Sequence, residues 1–253
     1  MDERAQSEPE LASVGSRSLP GGATLTLLRH GQSEWNRDRR FAGWADVDLS
    51  GVGRIEAERA GSLLLGSGYT FDCCFTSVLQ RAVHTSEIVL RKMGLEDIPV
   101  RRDWRLNERH YGALEGLGLW SAVRRYGLLR VLRCRRFVGR PPALDAGDRR
   151  FPGHDTRYAS LSPQELPRGE SLADTQARML PYWSGQIVAE LRRGRSVLVV
   201  SHKNTLRVLV KMLEGRDDAR MPRTRIPTGV PIVLSLDAAL AIRDRRVLEG
   251  FGD

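Results

Sequence analysis

The chain is organised around Thr24-Leu25-Thr26-Leu27-Leu28-Arg29-His30-Gly31. Its threonine and leucine residues predict a buried strand, which ends in an arginine, an imidazole and a flexible glycine. Ligands of open α/β sheets bind beside the carboxyl ends of strands. For a single histidine at the end of a strand, a purely structural function would be the simpler explanation. A second apolar run, residues 196–201, also ends in a histidine, His202, so we expect two strands to deliver two imidazoles to one site.

Strand and helix patterns alternate along the rest of the chain. Ser50 is a plausible N-cap for the first long helix. Predicted strands cover residues 71–77, 98–101, 196–201 and 230–236, and predicted helices cover residues 54–65, 79–93, 119–132, 170–193 and 204–213. The alternation predicts an α/β fold with a mainly parallel central sheet flanked by helices on both faces.

The domain organisation follows from length and local composition. A chain of 253 residues is long enough for one α/β domain with an ample core. Residues 1–23 are polar and lack an apolar signal core, so we interpret them as a disordered N-terminal extension. Residues 24–253 would then form a single catalytic domain with a loop-rich inserted region at about 105–170, including an aperiodic loop over 141–168.

Charge and cysteine usage limit the classes of partner. The formal net charge of +9 would suit nucleic acid, but the arginines are dispersed and aromatic residues make up only 6% of the chain. Arginine binds phosphate through a planar fork, so small phosphorylated anions would account for the arginine content equally well. The three cysteines, Cys73, Cys74 and Cys134, show no metal-binding spacing and favour a reducing, cytoplasmic location. No run is long and apolar enough to predict a membrane partner.

Four motifs together resemble the histidine phosphatase superfamily: Leu28-Arg29-His30-Gly31, Ser77-Val78-Leu79-Gln80-Arg81-Ala82, the block around Glu108, and His202. Longer stretches are similar to the 2,3-bisphosphoglycerate-dependent phosphoglycerate mutases of that superfamily: Gly31-Gln32-Ser33-Glu34-Trp35-Asn36, Trp104-Arg105-Leu106-Asn107-Glu108-Arg109-His110-Tyr111-Gly112 and Ile226-Pro227-Thr228-Gly229-Val230-Pro231. The likeness runs from about residue 24 to about residue 240 and implies a phosphoglycerate mutase-like fold.

Two imidazoles beside two arginines suit phosphoryl transfer through nitrogen. The resemblance implies that His30 is the nucleophile and that Glu108 is the general acid and base on the substrate hydroxyl. It further implies a phosphate pocket of Arg29, Arg81 and a protonated His202. The remaining residues expected to bind substrate are Ser33, Asn36, Gly43, Tyr111, Arg135, Arg136, Lys203 and Asn204.

The resemblance also implies an activity and its ligands. It predicts a glycolytic and gluconeogenic isomerase that interconverts 3-phosphoglycerate and 2-phosphoglycerate, with 2,3-bisphosphoglycerate as the priming phosphate donor and without a metal. The expected partner is a small phosphorylated carboxylate. Nucleic acid and membrane are not expected, and a homodimer is compatible with the likeness.

Three positions depart from the mutase pattern. Leu119 stands where the mutases have a substrate-binding lysine, Ala42 where they have threonine, and Lys203 where they have glycine after the second histidine. These changes favour an alternative, a phosphatase or a mutase acting on a different small phosphorylated acid. An alternative of another class is a catalytically weak relative that binds phosphorylated ligands. Such a relative would be expected to have lost one of four residues, and all four are present: His30, Arg81, Glu108 and His202.

Overall fold

The computed structural model describes residues 22–135, 139–215 and 225–249. Within them, the strands are β1 (Ala23–Arg29), β2 (Cys73–Thr76), β3 (Val100–Arg102), β4 (Ser196–Ser201), β5 (Pro231–Leu236) and β6 (Ile242–Val247). They form one sheet in the order β3-β2-β4-β1-β5-β6. The first four strands pair in parallel, whereas β5 runs antiparallel to β1, and β6 antiparallel to β5. The predicted mainly parallel α/β sheet is confirmed.

The α-helices of the described residues are α1 (Glu34–Arg37), α2 (Gly51–Gly66), α3 (Gln80–Met93), α4 (Leu119–Tyr126), α5 (Leu128–Arg135), α6 (Leu172–Tyr182), α7 (Val188–Arg192) and α8 (Lys203–Leu213). Ser50 caps α2, because its side-chain oxygen accepts a hydrogen bond from the backbone N–H of Gly53 at 3.1 Å. Residues 139–171 contain neither a strand nor an α-helix, as predicted for the loop at 141–168.

Both faces of the sheet are covered, because side chains alternate along each strand. Leu25 and Leu27 of β1 point to one face, where they share a core cluster with residues of α6, α7 and α8. Leu28 belongs to the other cluster, with residues of α2 and α3. This burial on both faces explains why β1 and β4 read as nearly continuous apolar runs.

Two predicted helices differ from those observed. The helix expected over 119–132 is divided at Gly127, whose φ of 83° lies in the left-handed region that ends helices. The helix expected over 170–193 contains Pro181, which has no N–H for an intrahelical bond. A π turn, Trp183–Ile187, follows it and joins α6 to α7. Both irregularities are local and leave the sheet unchanged.

The predicted N-terminal extension lies almost wholly outside the described residues, which begin at residue 22. Ala23, expected to belong to that extension, is instead the first residue of β1 and pairs with Leu236 of β5. The strand therefore starts one residue earlier than its apolar pattern suggested.

Candidate active site

The carboxyl ends of β1 and β4 bring His30 and His202 together. The two strands are parallel neighbours, and their last paired residues are Arg29 and Ser201. The backbone N–H of His30 donates to the carbonyl of Ser201 at 3.0 Å. The imidazole centroids are 4.9 Å apart, with the ring planes inclined at 56°. The pairing of the strands thus accounts for the meeting of two histidines that lie far apart in sequence.

The hydrogen bonding of His30 indicates its tautomer. Its Nδ1 lies 2.6 Å from the carbonyl oxygen of Gly31. Because a carbonyl only accepts, Nδ1 carries the hydrogen and Nε2 keeps a free lone pair. Burial, together with the charges of Arg81 and Arg29, holds the pKa of His30 well below its usual range. The ring is therefore neutral at physiological pH, which is the form that can attack phosphorus.

Glycine at position 31 is required by close packing beside this ring. A Cβ there would lie 2.1 Å from the carbonyl oxygen of Gly53 in α2. The backbone N–H of Gly31 donates to the Thr85 hydroxyl of α3 at 3.1 Å. The turn after β1 is therefore clamped between two helices, and this fixes the direction of the His30 side chain.

Two guanidinium groups flank the histidines. Arg81, in the first turn of α3, is 1% exposed and donates to the carbonyls of Gly43 and Ala45 at 2.7 and 2.8 Å. Arg29 donates to the carbonyl of Ile226 at 3.1 Å. Burial lowers the pKa of Arg81 and of Arg29, but an arginine remains charged at any physiological pH.

No carboxylate of the described residues forms an ion pair with either guanidinium. Both donate to backbone carbonyls, and the charge of Glu108 only partly offsets their burial, which still lowers the pKa of Arg29 and of Arg81. A bound phosphate would supply the missing negative charge.

Glu108 presents a carboxylate to the same cavity. Its Oε1 accepts from the backbone N–H of Arg109 at 2.8 Å and of Asn204 at 3.3 Å, and the residue is 8% exposed. Arg105 and Arg109, three residues before and one residue after Glu108, are potential ion-pair partners in the sequence. In the structure, Arg105 pairs with Asp103 at 3.1 Å, and the Arg109 guanidinium donates to the carbonyl of Cys134. Backbone amides therefore orient the carboxylate and leave it able to exchange a proton with a bound ligand.

A second layer of hydrogen bonds fixes the backbone at Glu108. Its carbonyl accepts from the indole N–H of Trp44 at 2.7 Å and from the guanidinium of Arg178 at 2.9 Å. Arg178 also pairs with Glu170 at 2.6 Å. The sequence patterns did not single out Trp44 or Arg178, because neither carries an apparent catalytic function of its own.

His202 is fully buried behind His30, and it is not among the residues that line the cavity. Its Nε2 is 2.8 Å from the Ser77 hydroxyl, and its Nδ1 has no partner within the described ranges. Burial and the charge of Arg81 hold the pKa of His202 well below its usual range. The protonated His202 expected from the sequence is therefore disfavoured in the structure, because desolvation and nearby cations both oppose a positive charge.

A cavity of about 660 Å³ opens over these groups, a size suited to a small metabolite. It contains most of the predicted site residues: Arg29, His30, Asn36, Gly43, Arg81, Glu108, Tyr111, Arg135, Lys203 and Asn204. Arg136 lies outside the described residues.

Ser33, which was expected to bind substrate, is not among the residues that line the cavity. It is fully buried and caps α1, because its side-chain oxygen accepts from the backbone N–H of Asn36 at 3.2 Å. The Asn36 side chain in turn accepts from the backbone N–H of Ser33. The reciprocal capping box occupies both side chains, and only Asn36 reaches the cavity.

One wall of the cavity is formed by the first turn of α8 and the segment after Glu108. The Asn204 amide donates to the Tyr111 hydroxyl at 3.0 Å. Burial raises the pKa of Tyr111, so this hydroxyl stays protonated. Lys203, the first residue of α8, belongs to the same wall. Ala42 and Leu119, the other two residues that differ from the mutase pattern, also line the cavity.

Sequence reasoning missed three residues of the cavity: Arg39, Arg40 and Phe41. They follow α1 in a loop, where no periodic pattern marks them. Arg39 has a φ of 55°, a left-handed conformation that is uncommon for arginine and often found at functional sites. The signal available in sequence was the Arg-Arg pair itself, three residues after Asn36.

The arginine side chains that line the cavity are the kind of donor that binds phosphate. Within the described residues, histidine, cysteine, aspartate and glutamate form no group of three that could hold a metal ion.

The part of the chain that the structure describes contains no helix of the length and apolar character needed to cross a bilayer.

Comparison with known families assigns the chain to a class. The family model "Histidine phosphatase superfamily (branch 1)" matches residues 25–147 and 141–239. The chain therefore belongs to the histidine phosphatase superfamily, whose members transfer phosphoryl groups through a phosphohistidine.

Several solved structures share this fold. The α-ribazole phosphatase from Shigella flexneri is 23% identical, with a TM-score of 0.68 over 90% of this chain and 96% of that one. A mycobacterial glucosyl-3-phosphoglycerate phosphatase is 25% identical, with a TM-score of 0.64 over 89% and 97%. YhfR from Bacillus stearothermophilus is 27% identical, with a TM-score of 0.64 over 87% and 96%.

Proposed function

We propose that this chain transfers a phosphoryl group through His30 on a small phosphorylated carboxylate, as a mutase that interconverts 3-phosphoglycerate and 2-phosphoglycerate. The observation that carries the proposal is one cavity that holds a neutral His30, the Arg29 and Arg81 guanidinium groups and the Glu108 carboxylate. A neutral imidazole is a nucleophile, the cations neutralise phosphate, and the carboxylate is a proton carrier.

The residues divide the reaction between them. Nε2 of His30 attacks phosphorus, and the bond from phosphorus to the substrate oxygen breaks as the N–P bond forms. A protonated Glu108 gives its proton to the departing oxygen and, in the return direction, takes the proton of the accepting hydroxyl. Arg29 and Arg81 stabilise the charge that develops on the equatorial oxygens.

The remainder of the cavity suits a second acidic group. Arg39, Arg40, Arg135 and Lys203 line it in addition to the two arginines beside His30. A phosphate monoester alone would need fewer cations. A phosphorylated carboxylate, or a bisphosphorylated acid, would place its second anion among them. The wall residues therefore fit 2,3-bisphosphoglycerate, the expected priming donor, which would supply the first phosphoryl group to His30.

A second candidate is a phosphatase that acts on a different small phosphorylated acid. The observation in its favour is that Ala42 and Leu119, which lack the polar groups of the mutase pattern, line the cavity. Two of the solved structures with the same fold carry the names of phosphatases. Fewer contacts to the dephosphorylated product would favour its release and leave phosphohistidine open to water.

The deciding experiment incubates the chain with 3-phosphoglycerate, with and without 2,3-bisphosphoglycerate, and resolves 2-phosphoglycerate from free phosphate. A mutase forms 2-phosphoglycerate and depends on the bisphosphorylated donor. A phosphatase releases phosphate and shows no such dependence.

The matched control is His30→Ala, which should be inactive in both directions and carry no acid-labile phosphoryl label. Label on another residue of the wild-type chain would refute the assignment of His30. If the wild-type chain forms neither product and no phosphohistidine from these substrates, the mutase is refuted. If p-nitrophenyl phosphate, a donor that needs no specific acid, also leaves no phosphohistidine, the phosphatase is refuted as well.

A further inference from the structure

Lys203 occupies an unusual position for a lysine. It directly follows His202, whose ring lies against His30, and its partly buried side chain lines the cavity. By resemblance, the mutases have glycine at this position. The long side chain therefore adds a cation to the wall of the cavity, beside the site of phosphoryl transfer.

The surroundings of Lys203 are mainly cationic. Burial lowers the pKa of Lys203, and the charges of Arg207, Arg29 and Arg135 lower it further, whereas Glu108 opposes them. Throughout the described part of the chain, no carboxylate forms an ion pair with Lys203. A lysine among cations costs stability unless an anion binds there, so this arrangement indicates a ligand with negative charge.

Leu119 stands on another part of the same cavity and brings no charge. The position where the mutase pattern has a lysine is therefore apolar, while a new lysine extends from the first turn of α8. Arg135, at the end of α5, lines the cavity as well.

We propose that Lys203, with Arg135, binds the non-transferred acidic group of the substrate and determines which phosphorylated acid is accepted. This inference rests on the proposed phosphoryl transfer at His30. Lys203 and His30 line the same cavity, and Lys203 directly follows His202, whose ring centroid is 4.9 Å from that of His30. The substrate class is a short phosphorylated acid, in which the carboxylate lies within a few bonds of the phosphate.

The test compares two ligands that differ in the second acidic group. 3-Phosphoglycerate carries a carboxylate where glycerol 3-phosphate has a hydroxymethyl group. Their dissociation constants are measured by calorimetry on the His30→Ala chain, in which transfer is removed and the cationic wall remains. Lys203→Met is added to this background, and Lys92→Met, an exposed lysine on α3, is the matched control for net charge.

Lys203→Met should weaken 3-phosphoglycerate binding about tenfold or more, because a charge-assisted hydrogen bond is lost. Glycerol 3-phosphate should change by less than about threefold, since it has no group for the lysine. Lys203→Arg should retain most of the discrimination, and Lys92→Met should leave both ligands unchanged. If Lys203→Met weakens both ligands equally, or neither, the proposed function of Lys203 is wrong.

Phosphoryl transfer to His30 is measured separately, as the formation of phosphohistidine in the wild-type chain. Loss of discrimination in Lys203→Met without any phosphohistidine in the wild type would refute the proposed function and leave the anion subsite in place. Phosphohistidine formation with unchanged discrimination would refute the subsite alone. Thermal unfolding of each variant excludes misfolding, and Lys203→Gly replaces Lys203→Met if the latter is destabilised.

Discussion

Replacing Glu108 by glutamine would separate proton transfer from every other function of that side chain. In the folded chain its Oε1 accepts from the backbone N–H groups of Arg109 and Asn204 at 2.8 and 3.3 Å. An amide oxygen can accept both bonds, so we expect the side chain to keep its position. What glutamine lacks is the capacity to give a proton to a departing oxygen or to take one from a hydroxyl.

The size of the effect depends on the leaving group. General acid–base catalysis is worth about 10²–10⁴-fold, or about 3–5 kcal/mol of activation free energy. Transfer of phosphate between His30 and a sugar-acid hydroxyl should slow by that factor in Glu108→Gln. Phosphorylation of His30 by p-nitrophenyl phosphate should slow by less than about tenfold, because nitrophenolate departs without a proton.

The assay is single-turnover mixing, with p-nitrophenolate release and 2-phosphoglycerate formation followed in parallel. Unfolding temperatures of wild type and variant should agree within about 2–4 °C, which corresponds to about 1 kcal/mol in a chain of this size. Equal losses with both donors would mean that the substitution disturbs the phosphate pocket. An unchanged mutase or phosphatase rate would show that Glu108 carries no proton in the reaction.

Two further predictions concern buried titratable groups. Burial raises the pKa of Glu115. At pH values between its pKa in the unfolded chain and its pKa in the folded chain, the folded chain holds a proton that the unfolded chain has lost. The free energy of unfolding therefore falls as pH rises through that window. The amide of Glu115→Gln can still accept from the backbone N–H groups of Trp44 and Tyr111. The variant should therefore raise the unfolding temperature more at about pH 8 than at about pH 5, by roughly 2–4 °C for each kcal/mol of stability gained. An equal shift at both pH values would contradict this. The pKa of His202 is held well below its usual range, and its ring centroid lies 4.9 Å from that of His30. Binding of inorganic phosphate in the cavity next to His30 should therefore raise the pKa of His202 and take up protons. Calorimetry in buffers of different ionisation enthalpy should detect the uptake near pH 7, and an identical uptake in His202→Gln would place the proton elsewhere.

The pairing of β1 with β4 could be predicted because it depends on signals that short sequence windows contain. Each strand is a continuous apolar run, and in a parallel sheet the residues after both strands must meet at one edge. The breaks within the helical regions depend on single residues instead. Gly127 ends α4 through its positive φ, and the apolar spacing on either side of it continues without interruption. A periodicity argument therefore joins α4 and α5 into one helix.

Within the site, side chains at strand ends could be predicted better than side chains in loops. Arg81 follows β2 in the first turn of α3, and a strand–helix junction of that kind favours anions. Arg39 and Arg40 reach the cavity through a loop conformation that no local pattern encodes. Ser33 is the opposite case, since this polar residue near His30 caps a helix and does not line the cavity.

In the structure, the groups expected to carry the chemistry are fixed separately from the side chains that differ from the mutase pattern. The groups expected to react or to neutralise phosphate are held by the backbone. Arg81 donates to main-chain carbonyls, His30 to the Gly31 carbonyl, and the Glu108 carboxylate accepts from main-chain amides. A substitution elsewhere in the cavity leaves those bonds in place.

The three departures, at positions 42, 119 and 203, all line the same cavity and belong to its wall. Their side chains are not part of the backbone bonds that fix the transfer groups. Under the proposed function, leucine at position 119 and lysine at position 203, in place of the lysine and glycine of the mutase pattern, would move the binding site of a second anion and leave the backbone bonds of the transfer groups in place. Substitutions in the wall would then change which substrate binds and leave the phosphohistidine chemistry in place. For this reason, the informative measurement at Lys203 is discrimination between ligands and not loss of turnover.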